Sequence, residues 1–209
     1  MLILLRHGEC PTNKDGRLTS TTDCSLSPEG VLQVEKTFLA NQHLSFDSVV
    51  SSPMKRTMET AKPFLNNLER RMPKITDVPV DPLLREFDFG VFEGVSGADL
   101  LQGPHKDLYK AWMKGECVEH GGENWRDLFV RCQLILNKYA PKSAMQTPTL
   151  LVTHGYVIRS MACLFLGAQP SMVQALRIDN AHMMVLDFER GNLRMTGFNI
   201  ERVKKPFGR

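Results

Sequence analysis

Two apolar runs in this chain close on the same dipeptide. Leu2-Ile3-Leu4-Leu5 leads through Arg6 to His7-Gly8, and Leu150-Leu151-Val152 leads through Thr153 to His154-Gly155. A short continuous apolar run bounded by a turn signal reads as a strand buried on both faces, as in a parallel sheet covered by helices. In an open sheet of that kind, ligands collect outside the carboxyl ends of the strands. Two strands that both stop at a histidine are therefore expected to present both imidazoles to one crevice.

The intervening sequence supports an α/β chain. Ser27 is a suitable N-cap and Pro28 a suitable first residue for a helix running to about Asn41. Asp47–Ser51 reads as a second short strand, and Ser52-Pro53 opens a helix carrying Arg56. Ile75–Val80 is expected as a third strand, kept near an edge by Pro73, Pro79 and Pro82. From Val95 to about Glu123 the sequence turns Gly-rich and mixed in charge, with a helical stretch at Asp107–Lys114, and reads as a helical insertion over the site. Trp125, Leu128, Phe129, Cys132, Leu136 and Tyr139 recur at three- and four-residue spacing, which predicts a helix over Glu123–Tyr139. A further helix is expected over Val157–Leu166. Met183–Phe188 and Leu193–Phe198 bracket Glu189-Arg190-Gly191-Asn192, a hairpin signal. Strand-helix alternation of this kind predicts a three-layer α/β/α sandwich with a mostly parallel sheet, folded as a single domain over residues 1–209.

Composition narrows the functional classes. A formal charge of +3 is too mild to indicate nucleic acid in the absence of a clustered basic face, and no nucleic-acid partner is expected. The five cysteines are scattered without C-x-x-C spacing, which speaks against a disulfide framework or a zinc site and for a reducing cytoplasm. The first apolar run is too short for a signal peptide, and no segment approaches a membrane span. No cofactor and no metal are expected. A homodimer is compatible with an exposed edge strand, although no residue pattern demands one.

The chemistry concentrates at the first strand end. Imidazole can attack phosphorus to give a covalent phosphohistidine, dividing one hard displacement into two easier ones. Phosphoryl transfer otherwise rests on positioning and on neutralising the equatorial oxygens, a task that suits guanidinium groups. Arg6 beside His7, with Arg56 and His154, has the composition of such a clamp.

These residues resemble the histidine phosphatase superfamily, in the branch that contains phosphoglycerate mutases. Arg6-His7-Gly8-Glu9 with Asn13 is similar to its first motif, and Ser51-Ser52-Pro53 with Arg56, Thr60 and Ala61 to its second-strand motif. Thr153-His154-Gly155 is similar to the segment of its second histidine, and Leu84-Arg85-Glu86 with Gly90 and Glu93-Gly94 to the segment supplying the acid. The resemblance spans nearly the whole chain. It implies that His7 takes the phosphoryl group, that Arg6, Arg56 and His154 bind it, and that Glu86 protonates the leaving oxygen and then serves as base toward water. Asn13, Thr19 and Gly155 join the substrate-binding set. Ser20 and Tyr156 stand where many relatives have glycine.

The expectation is a metal-independent phosphomonoesterase acting on a small phosphorylated metabolite. Water is expected as acceptor because Phe87-Asp88-Phe89-Gly90 lacks the His-Tyr that mutase-like relatives place near the acid. A mutase-like phosphotransferase and a catalytically silent phospho-ligand binding module stand as alternatives. At the level of single residues, Asp88 and Glu93 rival Glu86 as the acid, Arg6 and Arg56 have Glu9 and Glu59 as structural ion-pair partners, Asn13 can simply close a turn, and Glu123 is expected to support the helix after it.

Overall fold

A computed structural model describes residues 1–69, 77–143, 148–189 and 192–204. Its centre is a five-stranded sheet in the order β2-β3-β1-β4-β5. The strands are β1 (Leu2–Arg6), β2 (Ser48–Ser51), β3 (Thr149–Thr153), β4 (Met183–Glu189) and β5 (Asn192–Ile200). The β2-β3-β1 half is parallel. The other half is antiparallel, because β4 runs against β1 and β5 against β4. The sheet is thus mixed, with its parallel half carrying both His-Gly strand ends.

Alternation along the strands builds two cores, one on each face. Leu2, Leu4, Leu151, Met184 and Leu186 face one cluster, and Ile3, Leu5, Leu150, Val152, Met183 and Val185 face the other. The first cluster is covered by Leu128, Cys132, Ile135 and Tyr139 of helix α6 (Trp125–Ser143) and by Val157, Ile158 and Met161 of α7 (Gly155–Phe165). The second is covered by Ala61, Phe64, Leu65 and Leu68 of α3 (Lys55–Glu69). These three layers match the α/β/α reading. Helix α2 (Pro28–Ala40) starts as expected, with Ser27 Oγ accepting the Gly30 N–H at 3.0 Å.

Register places the two histidines side by side. Leu2 pairs with Thr149 and the ladder runs in step to Arg6 opposite Thr153, so the next residues of each strand are His7 and His154. The His7 N–H continues the ladder to the Thr153 carbonyl at 3.1 Å. Past His7 the chain crosses α2 at close range. A Cβ on Gly8 would lie 2.6 Å from the Gly30 carbonyl oxygen, and one on Gly30 would lie 2.0 Å from that of Glu9. The close approach that Gly8 permits is therefore to α2.

Several sequence expectations need correction. Among the described residues of the proposed 75–80 strand, 77–80, only Val80 forms a bridge, parallel and isolated, to Ser51. Residues 75 and 76 lie outside the described residues. Pro79 lacks a donor and Val80 is 51% exposed, so neither a ladder nor burial favours extension. The β4-β5 hairpin forms, with Arg190 and Gly191 of its expected turn outside the described residues. In the 95–123 segment, α4 (Gly97–Leu100) and α5 (Lys106–Met113) pack Leu100, Tyr109 and Trp112 into the first core. None of its residues is among those described as lining the cavity at the carboxyl end of β1, so its contribution there is indirect. The short helix α1 (Pro11–Lys14) falls in the loop after β1.

Candidate active site

A cavity of about 420 Å³ opens at the carboxyl end of β1, with Arg6, His7, Asn13, Thr19, Glu86 and Gly155 among its walls. His7 is 3% exposed and lies next to His154, with ring centroids 5.2 Å apart. Its Nδ1 is 2.7 Å from the Gly8 carbonyl oxygen, an atom that can only accept. Nδ1 therefore carries the ring proton, and Nε2 keeps the lone pair. Burial, with the charges of Arg6 and Arg56, holds the imidazole well below the usual histidine range, so it is neutral at pH 7. A neutral imidazole with a fixed tautomer is a nucleophile.

Arg6 and Arg56 play different geometric parts. Arg6 sends one terminal nitrogen to the Ile178 carbonyl at 2.6 Å, while its Nε is buried without a protein partner. Arg56 is 1% exposed and does not reach the cavity wall. It reaches the carbonyls of Thr22, Thr19 and Ser20 at 2.9, 3.5 and 3.4 Å, which fixes the loop behind the cavity. Neither arginine pairs with the carboxylates raised as structural partners. Glu9 accepts from the Ser27 hydroxyl at 2.7 Å, and Glu59 from the Leu26 N–H at 2.8 Å.

His154 is fully enclosed beside His7. Ser52 Oγ lies 2.9 Å from its Nε2, and its Nδ1 is buried without a partner. Burial, then His7 and Arg56, hold it well below the ordinary histidine range. The second-strand motif supports both rings, since Thr60 Oγ1 accepts the Gly8 N–H at 3.1 Å and donates to the Arg56 carbonyl at 2.7 Å. Arg6 Nε and His154 Nδ1 are thus two buried polar atoms next to His7 that lack protein partners. Such groups are costly unless something else satisfies them.

Glu86 faces this cluster from the cavity wall. Its Oε1 accepts N–H bonds from Phe87 at 2.9 Å and Tyr156 at 3.2 Å. The protein crowds the carboxyl closely enough that burial raises its pKa, against those N–H bonds and the charges of Arg159 and Arg56. The apolar side is aromatic. Phe87 and Phe89 are buried against Trp112, with ring centroids 5.4 and 6.1 Å away, and Trp125 lies 5.0 Å from Phe87.

This anchoring separates Glu86 from its rivals. Asp88 lies between the two buried phenylalanines and points outward, where it accepts the Gly90 N–H at 3.0 Å. The Glu93 carboxylate takes N–H bonds from Ser20, Thr21 and Thr22 at 2.9, 3.2 and 3.0 Å. Burial acts to raise its pKa, but these bonds outweigh it and keep Glu93 ionised. It serves as a loop clamp.

A support for Glu86 went unread in the sequence. Arg131 of α6 donates to the carbonyls of Leu83 and Arg85 at 2.8 and 2.6 Å, and is held by the Glu123 carboxylate at 2.6 Å. Thr153 Oγ1 adds a bond to the Leu84 carbonyl at 2.7 Å. Glu123 thus supports α6, as expected, through the arginine that carries the acid loop.

Asn13 commits its amide oxygen to Cys10 N–H and Asn180 Nδ2, each at 3.2 Å, so what it can offer a ligand is its N–H₂. Thr19 Oγ1 is 3.1 Å from Thr12 Oγ1. The wall also holds charged and amide side chains outside the expected set, among them Arg17, Arg159, Arg177, Asp179 and Asn180. Arg159 had a readable signal, standing one turn after Gly155 on the helix that follows the second histidine. Arg177 and Asn180 had none without the knowledge that β4 pairs antiparallel with β1. That pairing brings the loop before β4 to the carboxyl end of β1.

Among the described residues, no group of three or more His, Cys, Asp or Glu side chains is placed to hold a metal, and no helix is long and apolar enough to cross a membrane.

Comparison with known proteins gives concordant results. The family model of the histidine phosphatase superfamily, branch 1, matches residues 2–201. Phosphoserine phosphatase 1 of Hydrogenobacter thermophilus is 30% identical over 191 residues, covering 90% of this chain and 86% of that protein. The 2,3-bisphosphoglycerate-dependent phosphoglycerate mutase of Rhizobium etli is 28% identical over 168 residues, 77% of each. The phosphoserine phosphatase of Entamoeba histolytica, solved with 3-phosphoglyceric acid, superposes with a TM-score of 0.79 at 26% identity, covering 95% of this chain and 96% of that one. The α-ribazole phosphatase of Shigella flexneri shares the fold, with a TM-score of 0.80 at 23% identity over 98% of both chains.

Proposed function

The chain belongs to the histidine phosphatase superfamily, branch 1, and from that premise we propose that it hydrolyses small phosphorylated metabolites through a phosphohistidine on His7. The observation that carries this reading is the pairing, across one cavity, of a neutral histidine with a fixed tautomer and a carboxyl whose pKa is raised.

In the first step the Nε2 lone pair of His7 forms a bond to phosphorus. The bond from phosphorus to the ester oxygen breaks, and its electron pair leaves with that oxygen. Glu86 supplies the proton that turns the departing alkoxide into an alcohol, a contribution of about 10²–10⁴ in rate. In the second step water attacks the phosphohistidine, the Glu86 carboxylate takes the water proton, and the P–N electron pair returns to Nε2. Free phosphate leaves.

Arg6 neutralises the phosphoryl oxygens directly, and Arg56 adds its charge from behind the wall. A His154 whose Nε2 accepts from the Ser52 hydroxyl carries its proton on Nδ1, the atom without a protein partner, and so has a donor for a phosphoryl oxygen. Arginine and imidazole donors thus fill the role that a cation has elsewhere, and the reading calls for no metal. Water as acceptor rests on the sequence beside the acid, where Phe87-Asp88-Phe89-Gly90 lacks the His-Tyr that mutase-like relatives place near it.

The test is phosphate release from sugar, glycerate, nucleotide and aryl phosphates by the intact protein and by His7→Ala. Release that disappears in His7→Ala, with a phosphoenzyme trapped on acid quench of the intact protein only, is the expected result. Interconversion of phosphoglycerates faster than phosphate release would make it a mutase. Saturable binding without turnover would make it a binding module.

A further inference from the structure

The cavity holds more positive charge than one phosphoryl group requires. Its walls carry four guanidiniums, from Arg6, Arg17, Arg159 and Arg177, against the carboxyls of Glu86 and Asp179. Asp179 stays ionised, since hydrogen bonding from Asn199 and then Arg177 lowers its pKa. In the reactive form Glu86 carries its proton. A phosphomonoester dianion then leaves positive charge unmatched, and the buried Arg56 adds to it. Arg6 and Arg56 already act on His7. The surplus therefore belongs to the mouth.

Resting on the reading above, we propose that Arg159, Arg177 and Arg17 form a second anion site, so that the substrate is a phosphomonoester bearing a further carboxylate or phosphate.

Arg159 is held in place by neutral groups. Its guanidinium stands 4.0 Å from the centroid of the Tyr156 ring, and its Nε donates to the Gly155 carbonyl at 3.3 Å. One terminal nitrogen faces the carbonyls of Leu176 and Val173 at 3.4 and 3.5 Å. Tyr156, one of the residues standing where relatives have glycine, thus supplies the surface on which this cation is pre-oriented. Among the described residues no carboxylate makes an ion pair with Arg159.

Arg177 is aimed by a small lattice of bonds. The Asp179 N–H donates to Asn199 Oδ1 at 2.8 Å, and Asn199 Nδ2 donates to Asp179 Oδ2 at 3.0 Å. The other Asp179 oxygen takes Arg177 Nε at 2.7 Å. The ion pair uses Nε, which leaves the terminal nitrogens as a fork suited to a carboxylate or phosphate. Arg177 is 84% exposed, so this fork can meet a ligand without rearrangement of the core. Arg17, anchored to the Gly94 carbonyl at 2.7 Å and, among the described residues, with only the exposed Asp15 carboxylate, 3.9 Å from its Nε, as an ion-pair partner, completes the mouth. Between floor and mouth the wall is apolar, with Leu18, Phe89, Leu176 and Ile178. That strip suits a short carbon body with an anion at each end.

Ligand pairs that differ by one anionic group test this. O-phosphoserine against phosphoethanolamine isolates a carboxylate, and fructose 1,6-bisphosphate against fructose 1-phosphate isolates a phosphate. Calorimetry on His7→Ala, which prevents turnover, gives Kd for each, and the measurement is repeated with Arg177→Ala and Arg17→Ala added. In at least one pair the extra anion is expected to tighten Kd on the order of tenfold, with most of that gain lost in Arg177→Ala and part retained in Arg177→Lys. Whichever pair shows the gain identifies the second group. If the doubly anionic member binds no more tightly in either pair, whether both bind or neither does, the site is refuted. A preference that survives loss of both arginines also refutes it. Turnover of p-nitrophenyl phosphate, which carries no anionic group beyond its phosphate, by the intact protein separately decides the phosphatase reading, so the two failures are distinguishable.

Discussion

Replacing Glu86 by Gln removes a proton while leaving the shape of the site intact. The two N–H groups that hold the carboxyl, from Phe87 at 2.9 Å and Tyr156 at 3.2 Å, both reach Oε1, and the Tyr156 N–H is shared with Oε2 at a longer 3.3 Å. The amide oxygen of the substituted side chain can take that place, with the amide nitrogen where Oε2 was. The fold and the aromatic wall behind it are therefore expected to survive. What is lost is the acid, worth about 10²–10⁴ in rate, or about 2.7–5.4 kcal/mol in the barrier.

That loss depends on the leaving group. An alkoxide needs the proton, whereas a nitrophenolate departs readily without it. The assay is kcat/KM for glycerol phosphate and for p-nitrophenyl phosphate, because this ratio reports steps through phosphoenzyme formation and excludes the later role of Glu86 as base. The alkyl ester is expected to lose roughly the full 10²–10⁴, and the aryl ester far less. With the aryl ester, slowed hydrolysis of the phosphoenzyme also produces a burst of nitrophenolate. The intact protein needs Glu86 protonated, so its kcat/KM for the alkyl ester falls on the alkaline side, and the variant lacks that limb. Equal losses on both esters, or an alkaline limb that persists unchanged in the variant, would move the acid to another residue.

Arg131→Lys puts a point charge where a fork spans two carbonyls and a carboxylate. The preference for aryl over alkyl esters in kcat/KM is expected to rise by roughly tenfold as Glu86 drifts, and an unchanged ratio would mean that Arg131 is only structural. The fold should also weaken in acid. His7 and His154 have lowered pKa values, so below the unfolded value of about 6.5 the unfolded chain binds protons that the native state does not, and stability falls as pH drops. Two such groups give a slope approaching about 2.7 kcal/mol per pH unit, opposed by Glu86 where its raised pKa makes the native state bind a proton. Urea denaturation across pH should show a shallower slope in His7→Gln, and parallel curves for the two proteins would contradict the assignment. Finally, a chelator is expected to leave phosphate release unchanged, whereas a loss restored by one divalent metal would overturn the arginine-based account.

The parts of the fold legible in sequence were those with local causes. β1 and β3 announced themselves because both faces are buried, and α6 because its apolar spacing is regular. The Ser27 cap and the β4-β5 hairpin are likewise local chemistry. What stayed hidden was set by pairing at long range. Nothing in Met183–Phe188 reveals that it lies antiparallel beside β1, so Arg177 and Asn180 were invisible as wall residues. Arg56 and His154 are recognised by motif, but only packing shows that both are buried, with Arg56 spent on the carbonyls of Thr22, Thr19 and Ser20. The 95–123 segment was recognised as distinct, yet its aromatic residues turn into the core.

The two groups proposed to do the chemistry depend on the same physical cause with opposite chemical results. Burial penalises the charged form of any group. For His7 this preserves a free lone pair, and the nearby arginines push the same way. For Glu86 burial keeps the proton on, while Arg159 and Arg56 favour its loss. A cavity rich in guanidinium is therefore good for the nucleophile and bad for the acid, unless the acid has an apolar backing of its own. The residue after Glu86, Phe87, anchors the acid loop in a buried aromatic cluster with Phe89, Trp112 and Trp125, and Arg131 and Thr153 hold the loop backbone in place. On this reasoning the aromatic cluster, which reaches the cavity only through Phe89, lets that cavity bind a polyanion and still present a loaded acid.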